Sequence, residues 1–182
     1  MHKVFLSILT AITALTVNAQ TTPQKPTDAV IKWYSIEEAQ ALNAKAPRKF
    51  FIDMYTTWCG WCRVMDANTF SQPDIIQYMN TYFYPVKFNA EGKDAATFAG
   101  QAFKKQQNMQ FHDLAIALMQ GQMSFPTSIF LYENLQPFTI VPGYLPPEKL
   151  RPILVFIAQN YYQKMNFDDF SKQWPDILNQ QP

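Results

Sequence analysis

Apolar and polar positions run in two rhythms along this chain, and the switches between them mark out its elements. Residues 29–34 can form a first strand. Ser35 followed by Glu38 makes a capping box that opens a helix through about Ala46, ended before Pro47. Residues 49–55 are an apolar, β-rich run that reads as a buried strand. Residues 63–68 have helical composition without Gly or Pro. Residues 69–74 interrupt or kink that helix, and residues 75–80 continue it. The next strand falls at 82–88, with Pro85 marking an irregularity or an edge on that side. Strand, helix, strand, helix, strand in this order implies a parallel pair with a right-handed crossover.

The following connection, 93–122, is too long to be structureless in a compact domain. It is expected to hold two helices, at 95–106 and at 113–119. Its Met and Phe residues read as packing residues, and a surface that docks partner proteins is the sharper alternative. His112 is expected to be a partly exposed structural histidine rather than a catalytic one. Residues 127–132 and 138–141 then form an antiparallel hairpin. Pro146-Pro147-Glu148 opens a helix, which Pro152 kinks or delays. A last amphipathic piece spans 167–178, broken at Pro175.

Composition narrows the class. Apolar residues are 48% and aromatics 15% of the 182 residues, so disorder is excluded. Lys3 followed by an apolar stretch to Leu15 and small residues up to Ala19 makes a secretory signal peptide over 1–19, with cleavage expected after Ala19. That stretch is short for a membrane span, so no stable membrane insertion is expected after cleavage. Residues 20–28, with Pro23 and Pro26, read as a short tether, and 29–182 as one domain. Without Lys3 the basic and acidic residues balance, which gives nucleic acid or an anionic membrane no electrostatic support as a partner. The expected setting is periplasmic or secreted.

Chemistry concentrates in Trp58-Cys59-Gly60-Trp61-Cys62, which holds both cysteines of the chain. The pair stands where a strand ends and a helix begins. Cys59 should therefore meet the free N–H groups and partial positive charge of a helix N-terminus. That environment favours the thiolate, the form that attacks disulfides. Cys62, one turn in, faces the same way and can resolve the mixed disulfide formed by Cys59. A zinc site wants four ligands, and the histidines are His2 and His112 alone. An iron–sulfur cluster would need cysteines from two chains. An inert structural disulfide is the serious rival, although closing so short a loop removes little unfolded-state entropy.

The chain resembles the thioredoxin superfamily, and within it the secreted thioredoxin-like proteins of bacteria. Asp53 stands six residues before Cys59, where thioredoxins carry a buried aspartate. Lys87 matches the lysine that faces that aspartate, Phe125-Pro126-Thr127 the segment with the cis-proline, and Gly143 the glycine after the last hairpin. The resemblance covers residues 31 to 157. It implies an α/β thioredoxin fold: a central mixed β-sheet flanked by helices, here with a helical insertion before the cis-proline strand. It also implies thiol–disulfide exchange with protein substrates and no cofactor, through Cys59 and Cys62. Asp53 would accept the proton of Cys62, its pKa raised by burial and held down by Lys87. Trp58, Gly60, Trp61, Phe125 and Pro126 would form the substrate-binding surface, with the Phe125 backbone pairing with an extended segment. Exposed indoles there would favour unfolded or hydrophobic proteins. A reductase or isomerase, fed by a membrane electron donor, is expected rather than an oxidase. The alternative from another class is a binding or chaperone module with a structural disulfide.

Overall fold

The computed structural model describes residues 30–178. The expected signal peptide and tether lie outside the described residues. The elements begin with α1 (Ile36–Asn43), β1 (Lys49–Tyr55), α2 (Gly60–Asn68), α3 (Pro73–Tyr82) and β2 (Phe83–Asn89). After them come the short strands β3 (Ala96–Phe98) and β4 (Gln101–Phe103), then α4 (Asp113–Leu118). The chain closes with β5 (Thr127–Leu131), β6 (Pro137–Pro142), α5 (Pro147–Ala158), a 3-10 turn (Tyr161–Gln163) and α6 (Phe167–Leu178).

Four strands make one mixed sheet in the order β2-β1-β5-β6, and β3 with β4 make a separate pair. β1 runs parallel to β2 and antiparallel to β5, and β5 runs antiparallel to β6. Successive side chains of a strand point to opposite faces, and β1 is apolar on both. Phe51 joins Met65, Ile75, Met79, Phe130, Leu154 and Phe170 in the core beneath α2, α3, α5 and α6. Phe50, Ile52 and Met54 join Ile36, Ala39, Leu114 and Leu118 in the core beneath α1 and α4. Continuous apolar character without alternation is what a strand covered on both faces needs.

Three parts of the chain depart from expectation. The first strand is reduced to a single bridge, in which Tyr34 N–H donates to the Pro85 carbonyl at 2.9 Å. Pro85 has no N–H to continue a ladder on that outer edge. The Asn80 side chain takes up the Lys32 N–H and the Val30 carbonyl instead, and Val30 is 70% exposed. Ser35 then turns the chain into α1 through the capping box.

In the insertion, β3 and β4 replace the first expected helix. Ala99 (φ 49°) and Gly100 (φ 79°) both take positive φ, as a two-residue hairpin turn requires. Side chains from α1 cover the edge of β3: Glu37 accepts from Thr97 N–H, and Gln40 bonds the Thr97 carbonyl and Ala99 N–H. α4 forms as expected, but its N-cap His112 is fully buried rather than partly exposed. His112 Nδ1 accepts from Leu114 N–H, and Nε2 lies 3.1 Å from the Asp94 carbonyl, so Nε2 carries the proton.

The third departure concerns proline. α6 continues through Pro175, because the Ser171 carbonyl that loses its partner is exposed and can bond water. α5 likewise starts at Pro147 and runs on through Pro152. Pro85 itself sits on an edge strand, as expected.

Candidate active site

β1 ends at Tyr55, a short turn follows, and Cys59 is the N-cap of α2. Cys59 and Cys62 form a disulfide, and the Cys62 N–H donates to the Cys59 sulfur at 3.0 Å. A helix N-terminus offers such unpaired N–H groups and a partial positive charge. Both favour a thiolate on Cys59 in the reduced state. Arg63 is exposed at the start of α2. Its guanidinium lies back over Gly60 and donates to the Thr57 carbonyl at 3.2 Å. Both cysteines are only 4% exposed.

Aromatic side chains surround the pair. Trp58 and Trp61 are 58% and 61% exposed, whereas large apolar side chains are usually buried. Trp58 donates its indole N–H to Glu91 at 2.9 Å and meets Phe125 edge-on, with ring centroids 5.9 Å apart. Phe111, from the insertion, backs Phe125 at 5.5 Å. Trp61 stacks on Tyr144 at 5.3 Å. Trp61, Phe125, Pro126, Gly143 and Tyr144 line a groove beside the disulfide. The Phe125–Pro126 peptide bond is cis, and the Pro126 carbonyl accepts from Gly143 N–H at 2.8 Å. Gly143 holds φ 92°, a conformation that a side chain would strain.

Below the disulfide lies a charged layer. Asp53 is 1% exposed, on the face of β1 that α2 covers. Its Oδ2 is 3.1 Å from Lys87 Nζ, and the two residues are direct partners across β1 and β2. Burial pushes the Asp53 carboxyl up to about 6, and the Lys87 ammonium opposes that rise without cancelling it. Lys87 is itself partly desolvated, which favours the neutral amine, but Asp53 and Asp66 outweigh this and raise its pKa. Asp66 contacts the ammonium directly. The rings of Trp33, Tyr55 and Phe70 lie 5.1, 5.3 and 5.6 Å from it. Lys87 is thus held charged between two carboxylates and three aromatic faces.

The structure gathers Cys59, Cys62, Trp58, Gly60, Trp61, Phe125 and Pro126 around the disulfide, with Asp53 and Lys87 one layer below. Sequence reasoning missed Asp66, Tyr144 and Glu91. Asp66 had a signal, since it lies one helical turn beyond Cys62. Tyr144 and Glu91 had none, because their contacts come from distant parts of the chain.

Several solved structures are similar. A DsbH oxidoreductase shares 14% identity at a TM-score of 0.56, covering 79% of this chain and 94% of that one. A thioredoxin-fold protein from Helicobacter pylori shares 17% at 0.55, covering 70% and 80%. A thioredoxin from Thermus thermophilus shares 18% at 0.52, covering 70% and 87%. At such identities the likeness establishes the thioredoxin fold. An uncharacterized protein of Caenorhabditis elegans is 26% identical over 127 residues, 69% of this chain. The chain spans 16% of that relative's length. With the thioredoxin fold and its Cys-x-x-Cys disulfide in place, the match of residues 20–172 to the family model Thioredox_DsbH, described as "Protein of unknown function, DUF255", shows that the chain belongs to that family.

Proposed function

We propose that this chain is a protein thiol–disulfide oxidoreductase acting on exported proteins, and a reductase or isomerase rather than an oxidase. The position of the disulfide carries the reading: Cys59 caps a helix, with an aromatic groove beside it and a buried aspartate on the sheet face below. Cys59 attacks the partner's disulfide, and Cys62 resolves the mixed disulfide. Asp53, whose carboxyl burial raises to about 6, accepts the proton of Cys62. Lys87 keeps that acceptor from rising further. A partner segment lies extended along Phe125 and Pro126 and pairs with the backbone there. Trp58, Gly60, Trp61 and Tyr144 shape the walls, which suits segments that expose apolar side chains. A signal peptide over residues 1–19 delivers the protein to the periplasm or the exterior, where a membrane-bound electron donor re-reduces it.

Direction follows from how strongly the thiolate is stabilised. Gly60 and Trp61 supply no cation between the cysteines, and the Arg63 charge is exposed and screened. The potential should lie nearer to about −270 mV than to about −120 mV, the values of a reducing thioredoxin and of a strong oxidase. Equilibration with glutathione measures it, and a value above about −150 mV on the scale of those references would make the protein an oxidase.

The burial of both cysteines favours one rival, a binding module whose disulfide is inert. Trapping separates the two. Cys62→Ser should accumulate mixed disulfides with partner proteins, whereas Cys59→Ser should abolish reduction of a protein disulfide. If Cys62→Ser collects no adducts and the disulfide resists mild reductant, the rival reading stands.

A further inference from the structure

Among the described residues, three buried side-chain oxygens find no protein partner: Oδ1 of Asp53, Oγ1 of Thr56 and Oγ of Ser128. They fall on β1, on the turn that carries β1 to Cys59, and on the strand beside β1. Buried polar groups are nearly always hydrogen-bonded, and leaving one bare is costly. Chance scatter would not place every exception on this one path to the disulfide.

The register brings two of them together. Asp53 and Ser128 are direct partners across the antiparallel pair β1–β5, so both side chains stand on one face, with Cβ atoms about 5 Å apart. α2 covers this face, since Met65 shares a core with Phe51 and Phe130 on it. The row continues across the sheet as Lys87, Asp53, Ser128 and Val141. Lys87 reaches Oδ2 of Asp53 from the β2 side, which leaves Oδ1 for a partner from elsewhere. A hydroxyl both donates and accepts. One water bonded to Oδ1 and to the two hydroxyls would satisfy all three groups, and three bonds is typical of a buried water.

We propose that Ser128 and Thr56 hold a water against Asp53 Oδ1, and that this water passes the proton of Cys62 to Asp53 during resolution. The inference rests on the reading of Asp53 as proton acceptor. Cys62 S–H gives its proton to the water while the water gives one to Oδ1. The Cys62 thiolate then attacks the Cys59 sulfur. The Cys59–Cys62 bond forms, the bond between Cys59 and the partner's sulfur breaks, and its electron pair leaves on the partner's thiolate. The two protein sulfurs are oxidised, the partner's disulfide is reduced, and Asp53 later returns the proton to solvent. Ser128 and Thr56 are positioning residues, because they act through the water.

A single-turnover reaction of the reduced mature protein with 5,5′-dithiobis(2-nitrobenzoate) tests this. A first release of coloured thiolate reports attack by Cys59, and a second reports resolution by Cys62. Ser128→Ala and Thr56→Val should each slow the second phase at pH 7 by about tenfold, part of the factor that positioned proton transfer contributes. The first phase should be unchanged. The defect should shrink towards about pH 8.5, where a thiol loses its proton to solvent unaided. Ser128→Thr, which keeps the hydroxyl, should restore the rate, and a loss of packing alone would not be rescued so. In an Asp53→Asn background Ser128→Ala should add nothing. If Ser128→Ala and Thr56→Val resolve at the normal rate while Asp53→Asn is slow, the water site is wrong and Asp53 keeps its role. If Asp53→Asn resolves at the normal rate, the acceptor reading fails and the relay with it.

Discussion

Asp53 shows how burial sets the work of a single side chain. Its folded pKa of about 6 lies above the ordinary 3.8. The folded state therefore keeps a proton that the unfolded chain releases between those values. The group's contribution to stability is whole below about pH 4 and is lost as pH rises through 6, a change of roughly 3 kcal/mol. Asp53→Asn should escape that loss. At pH 7 it should be more stable than the natural protein by up to about 3 kcal/mol, less whatever Lys87 forfeits with its partner. Near pH 4 the advantage should vanish. Urea unfolding at both pH values checks this, and an equal gap at both would show that burial of the charge is not the cause. A buried carboxylate that costs stability at neutral pH is the kind of group retained for chemistry.

At the scale of elements, the β3–β4 hairpin depends on a turn that its residues do not all suit. Gly100 takes positive φ freely, whereas Ala99 at φ 49° is an L-residue in the left-handed region. Ala99 is exposed, so nothing else constrains its side chain. Ala99→Asn would make the Asn-Gly pair that this turn favours, and should stabilise the protein by about 0.5–1 kcal/mol. A shift of the urea midpoint to higher concentration with an unchanged slope is the expected result. The hairpin matters to the site because the insertion also supplies Phe111, which supports Phe125 beside the disulfide.

At the scale of the whole molecule, β1 is the element on which both cores depend. Phe51 meets Phe130 and Phe70 on one face, and Phe50 meets Tyr84 on the other. Deleting such an aromatic typically costs about 3–5 kcal/mol. Backbone amides of β1 should exchange most slowly with solvent, and those of the β3–β4 pair much faster, because that pair lies outside the main sheet. Hydrogen exchange read by mass spectrometry checks the order, and a hairpin protected as well as β1 would mean that the insertion belongs to the same cooperative unit. Export is a claim of the same scale. N-terminal sequencing of protein from the cell envelope should find a start near Gln20, and finding Met1 on cytosolic protein would defeat it.

The sequence by itself determined the elements whose causes are local. The Ser35–Glu38 box starts α1, Pro147 starts α5, and Cys59 falls at the mouth of α2 because the apolar run ends just before it. Each of these signals acts within a few residues. Asp53 and Lys87 were legible only through the resemblance, since β1 is apolar on both faces and alternation could not orient Asp53. Tertiary structure alone decided the rest. Whether residues 29–34 pair as a strand depended on Pro85 and Asn80, which stand some fifty residues away in the chain. The hairpin in place of a helix depended on α1 side chains that could cover its edge. The Lys87 cage and the facing of Ser128 on Asp53 come from strand register, which sets side chains opposite one another however far apart they lie in sequence.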